Sequence, residues 1–189
     1  MVALFRNIFV SIQDIIFKPK EFWELQKENE IKSRKLLSGY FFPLLFLAGL
    51  AVFTGELFRN SHFYTGFALM KAAREILLFL LQYLFSVFFT NELIRTFGGQ
   101  KRRKTAQMLV VFSMIPLLLV SIITGLFPFL YVLDALGLYS FYIFWLGAKQ
   151  LLDFPQRKLE KYALSTILVN FFIFSFLSVF LSKLLTAYL

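Results

Sequence analysis

A chain of 189 residues that is 59% hydrophobic, 20% aromatic and only 16% charged, with mean hydropathy +0.71, has more apolar surface than one water-soluble core of its size can bury. This excludes a soluble enzyme domain and predicts an all-α integral membrane protein. The lack of cysteine excludes disulfides, thiolate metal sites and cysteine nucleophiles, and the net charge of +9 falls in short clusters between apolar stretches, a topology pattern and not a nucleic-acid-binding face.

Residues 2–17 place Phe5, Ile8, Phe9, Ile12, Ile15 and Ile16 on one helical face, with Arg6, Asn7, Ser11, Gln13, Asp14 and Lys18 opposite. The pattern predicts an amphipathic helix lying on the membrane surface; docking on the protein's own bundle is the alternative. Arg6 and Asp14 interrupt the apolar run and no small-residue cleavage site follows, so this is not a signal peptide. Pro19 ends the helix and can open another. Residues 20–35 read as a short polar interfacial helix with Trp23 at headgroup level. The expected division is an interfacial segment over 1–35 and a five-helix transmembrane domain over 36–189.

Within that domain helices are expected near 36–58, 66–96, 106–127, 128–150 and 162–188, each close to the roughly 20 residues that cross a bilayer core. Gly125 and Pro128 break the third from the fourth and make a tight hairpin. Lysine and arginine number seven in residues 1–35, three (Arg59, Lys71 and Arg74) between the first helix and the apolar core of the second at Ile76, five around 95–104, none in the hairpin, four over 149–161, and one at Lys183. Alternate loops thus hold sixteen and four, which places the N-terminus inside and the C-terminus outside.

Little catalytic chemistry is visible. The one histidine, His62, sits in a loop, and there is no metal-ligand pair, nucleophile elbow or phosphate-binding glycine loop. No catalytic, cofactor or metal residue is assigned, and no cofactor is expected. The candidate site is a set of intramembrane polar residues. Asp134, six residues into the fourth helix, is expected to pair with Arg74 or Lys183 as a strut, or to form a proton or substrate site opening outward. A second set toward the inner half comprises Glu92, Gln107 and Asn170 with Asn91; interhelical hydrogen bonding is its plainer role and a ligand cleft the other. Pro43 and Pro116 are expected to kink the first and third helices. Gly39, Gly49, Ala51 and Gly55 offer the first helix small contact positions. Lys101, Arg102, Arg103 and Lys104 form a basic cluster suited to topology and to anionic lipid headgroups.

Several segments resemble the Yip1 family, particularly its short bacterial members. Ile16-Phe17-Lys18-Pro19-Lys20-Glu21-Phe22-Trp23 is similar to the segment before that family's first helix, and Phe97-Gly98-Gly99-Gln100-Lys101 to its turn after the second. Ser113-Met114-Ile115-Pro116 is similar to its pattern in the third helix, and Trp145-Leu146-Gly147 with Lys149 to the end of its fourth. The resemblance covers about residues 8 to 188. Eukaryotic relatives are implicated in Golgi and secretory traffic and bind small GTPases. This chain lacks their long cytosolic N-terminal region, so that role does not carry over. The resemblance bears on architecture more than on function; the expected function is a non-enzymatic membrane-organising or adaptor protein in a bacterial inner membrane, with a small transporter or lipid-handling protein as the alternative. Expected partners are a bilayer with anionic headgroups and another membrane protein or a second copy.

Overall fold

Inside a bilayer every backbone polar group must be satisfied within the chain, which leaves helices or closed barrels. The computed structural model describes residues 2–28, 33–59, 64–99 and 102–187, and among them there are helices and no strand. α1 (Val2–Phe17) and α2 (Pro19–Glu28) form an N-terminal helical pair. A short α3 (Ser33–Leu36) runs through a π-helical turn (Leu37–Phe41) into α4 (Phe42–Arg59). α5 (Thr65–Thr96) and α6 (Arg103–Leu126) follow. A 3-10 segment (Pro128–Leu138) leads into α7 (Tyr139–Leu151), and α8 (Gln156–Ala187) ends the fold. Five helices are long and apolar enough to span a membrane: Leu37–Phe58, Thr65–Thr96, Arg103–Leu126, Pro128–Leu151 and Gln156–Leu185. The chain is a multi-pass membrane protein.

α6 is the central helix. It packs on α4, α5, α7 and the 3-10 segment, and its residues Met108 to Pro116 are buried without interruption. α8 lies on the outside, packed along α5 and touching α7. The chain alternates in direction, so one end of the bundle carries the α5–α6 and α7–α8 connections with α1 and α2, and is termed the basic end. The other carries the α4–α5 and α6–3-10 connections and is termed the hairpin end.

Proline explains one irregularity. Pro43 has no N–H to give to Gly39, and just before it the helix loosens so that the Phe42 N–H reaches the Leu37 carbonyl, five residues back. Small residues explain the closest helix crossing. A Cβ on Gly55 would strike the Gly125 carbonyl, so α4 and α6 touch backbone to backbone there. Gly49 faces the Ile76 side chain of α5, whereas Gly39 has nothing within 4 Å and serves no contact.

The N-terminal segment docks on the bundle, the alternative reading of α1. Trp23 is fully buried within the protein and does not face the headgroups: its Nε1–H donates to the Ile143 carbonyl at 3.1 Å, and it meets Phe22 and Phe112 edge-on. Gly147 leaves the room, since a Cβ there would lie 2.5 Å from the indole. The end of α1 is docked too. Ile15 is buried, the Tyr40 hydroxyl donates to Ser11 Oγ, and the Tyr139 hydroxyl donates to the Ile16 carbonyl. The aromatic-lined groove between α6 and α7 competes better for these rings than the interface does. Gly98 and Gly99 shape the turn after α5. Gly98 holds φ +91°, and a Cβ on Gly99 would lie 2.8 Å from the Phe154 ring, so the turn closes onto the α7–α8 connection.

Candidate functional site

At the hairpin end the five spans do not close on each other. They surround a cavity of ≈ 630 Å³ whose polar lining includes Glu56, Lys71, Arg74, Glu75, Ser121 and Asp134. Every span contributes to its wall. α6 and α8 add Ser121, Ser178 and Ser182, and Leu78, Phe79, Phe174 and Leu185 add apolar wall. Among the described residues α8 packs on α5 and α7 and makes no comparable contact with the 3-10 segment.

Two carboxylate–cation pairs organise the polar wall. Lys71 Nζ lies 2.7 Å from Glu56 Oε1, with both side chains largely buried, and stands 4.3 Å over the Phe67 ring. Arg74 Nη1 lies 3.0 Å from Glu75 Oε2, and the other Glu75 oxygen accepts from the Ser121 hydroxyl at 2.7 Å. Arg74 Nη2 reaches α8, donating to the Ser178 carbonyl and to the hydroxyls of Ser178 and Ser182 at 2.7 to 3.2 Å. Desolvated charges persist only when paired and hydrogen-bonded in this way. Two groups are left over: the buried Arg74 Nε has no acceptor, and Asp134 forms no ion pair among the described residues.

The expected strut between Asp134 and Arg74 or Lys183 therefore does not form. Asp134 and Arg74 line the same cavity, but Glu75 is next to Arg74 on its own helix and takes the guanidinium first. Lys183 is not in the lining. Asp134 sits six residues into a 3-10 segment kinked at Leu130, so its depth does not follow the α-helical rise of about 1.5 Å per residue.

The inner set does not gather at one point. Gln107 donates to the Tyr83 hydroxyl at 3.2 Å. Asn170 donates to the Thr166 carbonyl on its own helix, and its backbone carbonyl accepts from Gln82 at 3.2 Å. Asn91 Oδ1 is buried without a partner; Glu92 is half-buried beside it on α5. Arg102 and Arg103 are exposed at the basic end; Lys101 and His62 lie outside the described residues.

Sequence reasoning overlooked Glu56, Lys71, Glu75 and the serines, and for the α8 serines a signal was available. Arg74, Leu78, Gln82, Ser86 and Thr90 recur every four residues on α5, and Tyr162, Thr166, Asn170, Phe174, Ser178 and Ser182 do so on α8. Each row is one helix face, and hydrogen bonds join the two faces at Arg74–Ser178, Gln82–Asn170 and Tyr162–Thr90.

These features define a polytopic α-helical membrane protein with a charged cavity in one half of its bundle. The chain belongs to the Yip1 family: the Yip1 domain model matches residues 14–178, from within α1 to Ser178 of α8. No curated protein and no solved structure matches the chain.

Proposed function

We propose that this protein handles lipid, and that the hairpin-end cavity holds the headgroup of a zwitterionic phospholipid. The observation that carries the reading is a cation and an unpaired carboxylate on one cavity wall. The positive charge of Arg74 is suited to a phosphate, and the exposed Asp134 carboxylate is suited to an ammonium group. The other charges are balanced by Glu56–Lys71 and Arg74–Glu75, so Asp134 leaves the lining one negative charge in excess.

Depth, shape and size support it. α5 has 32 residues, about 48 Å at 1.5 Å each, and overhangs a 30 Å core by about 9 Å at each end. Arg74 lies about 14 Å from the start of α5, hence roughly 5 Å inside the hydrocarbon boundary. A headgroup drawn slightly inward meets it there, and in this reading acyl chains stay in the bilayer by passing between the 3-10 segment and α8, which do not pack closely. The volume falls within the roughly 300–1,000 Å³ of small-molecule sites. Exposed Arg102 and Arg103 at the basic end add attraction to anionic headgroups, at about 1 kcal/mol per residue near the surface. In this reading the basic end faces inward and the protein is not an enzyme.

Native mass spectrometry of the detergent-solubilised protein with phosphatidylethanolamine or phosphatidylglycerol tests the proposal. The expected result is preferential retention of phosphatidylethanolamine, reduced several-fold by Asp134→Asn and by Arg74→Gln. Equal retention of both lipids, unmoved by either variant, would overturn it and favour an adaptor that works through its outer surface alone.

A further inference from the structure

Halfway along the same helices lies a second, smaller cavity of ≈ 50 Å³, lined by Gln82 and Ser86 of α5, Ser113 and Met114 of α6, Ser140 of α7 and Asn170 of α8. Gln82 is 17 residues into a 32-residue helix, so the cavity sits at the middle of that span. Its polar lining is incompletely satisfied. Gln82 Oε1, Asn170 Oδ1 and Ser140 Oγ are buried and have no hydrogen-bond partner. Gln82 and Ser140 are 5% and 8% exposed, so solvent outside the bundle does not reach them.

Buried polar atoms without partners cost on the order of 1–3 kcal/mol each, and three around one void need an explanation. A close-packed apolar core would have filled the void with methyl groups. We propose that this cavity is a water-binding site at the membrane midplane, its occupant bridging α5, α7 and α8. The volume exceeds the roughly 10–15 Å³ that one water requires, and the site offers the two to four polar partners that hold one. The donor count also closes. A water donates one proton to each amide oxygen, Gln82 Oε1 and Asn170 Oδ1, and accepts from the Ser140 hydroxyl. The Gln82 amino group is already committed to Ser86 Oγ and the Asn170 carbonyl. Leu117 lines both this site and the headgroup-sized cavity, so a single side chain separates them. It has room because Gly137 opposite lacks a Cβ, which would lie 2.6 Å from its Cδ1. The assignment is independent of any lipid in the larger cavity.

Two methionines make the test internal to one sample. Met114 lines the site; Met108, one and a half turns earlier on α6, lines neither cavity, and both are nearly buried at 5% and 6%. X-ray radiolysis generates hydroxyl radicals from bound water and oxidises side chains beside it. In the intact protein in nanodiscs, Met114 is expected to oxidise several-fold faster than Met108. Ser140→Val, which fills the site and removes a hydroxyl, is expected to bring the two rates together. Equal rates in the unaltered protein would overturn the assignment, as would fast Met114 oxidation that persists in folded Ser140→Val.

Discussion

A glycine-to-alanine series along the first span tests whether the backbone crossing of α4 and α6 holds the bundle closed. The same Cβ is added at three positions with different surroundings. At Gly39 it meets nothing within 4 Å. At Gly49 it meets the Ile76 Cδ1 and Cγ1 atoms at 2.6 and 2.8 Å, and a rotamer change can relieve part of that. At Gly55 it runs into the Gly125 carbonyl, with the carbonyl carbon at 3.0 Å and the Leu126 oxygen at 3.2 Å, and backbone has no rotamer to change. Overpacking costs about 1–3 kcal/mol, and a rigid obstacle places Gly55→Ala at the upper end, about 2–3 kcal/mol. That is roughly a 30- to 150-fold loss in the folding equilibrium, at 1.4 kcal/mol per tenfold. Helix propensity hardly offsets this, since membrane helices persist after the tertiary fold is lost. Reversible unfolding in mixed detergent micelles, followed by the fluorescence of Trp23 and Trp145, gives the order Gly39→Ala, Gly49→Ala, Gly55→Ala from most to least stable. A Gly55→Ala protein within about 0.5 kcal/mol of Gly39→Ala would refute the crossing.

Trp23→Phe loses the bond to the Ile143 carbonyl and should cost about 0.5–1.5 kcal/mol, whereas Trp23→Ala empties a fully buried site and should cost about 3–5 kcal/mol, both read by the same unfolding titration with Trp145 as reporter. Arg74→Met leaves Glu75 without its cation and should destabilise by about 2 kcal/mol or more; Arg74→Met with Glu75→Met should recover part of the loss, and a double-mutant cycle without coupling would count against the pair. Gly98→Ala forces a non-glycine residue to φ +91° and should cost about 1–2 kcal/mol, while Gly99→Val meets the Phe154 ring and should also speed hydrogen exchange at the start of α8, measured by mass spectrometry.

The five spans and their alternation were legible because length and hydropathy are properties of each segment alone. The cavity was not, because it depends on which helix faces meet. Lys71 and Arg74 count as outer topology charges, although both fall within the helix expected over 66–96. In the fold they lie inside α5, about 1.7 and 2.5 turns from its start, and pair with Glu56 and Glu75. Trp23 failed for a related reason. A tryptophan in a polar segment beside a membrane normally marks the interface, and only the tertiary groove beside Gly147, edged by Phe112, makes burial better. Asp134 was recognised as unusual, but the fourth span begins as a 3-10 segment, so its α-helical depth does not hold and its neighbours differ.

The two halves of the bundle answer different physical demands. At the basic end, Trp23, Phe22, Tyr40 and Phe112 interlock edge to face, and Phe97 and Phe154 meet Tyr162, so apolar contact closes the structure between α2, α6, α7 and α8. The segments that carry the family resemblance fall largely here: Trp23, Gly98, Gly99 and Gly147 all serve this packing. At the hairpin end the corresponding contacts are absent from the fourth span, whose 3-10 segment buries only Gly137, while α7 below it buries Ser140, Ile143, Phe144, Gly147 and Ala148. Around that opening charge pairs and serines stand among the rings of Phe67, Phe79, Tyr131 and Phe174. A cavity with ionic walls cannot be kept dry and tight by dispersion alone, so its shape depends on the packed half beneath it, with Leu117 and Gly137 at the level where one regime gives way to the other.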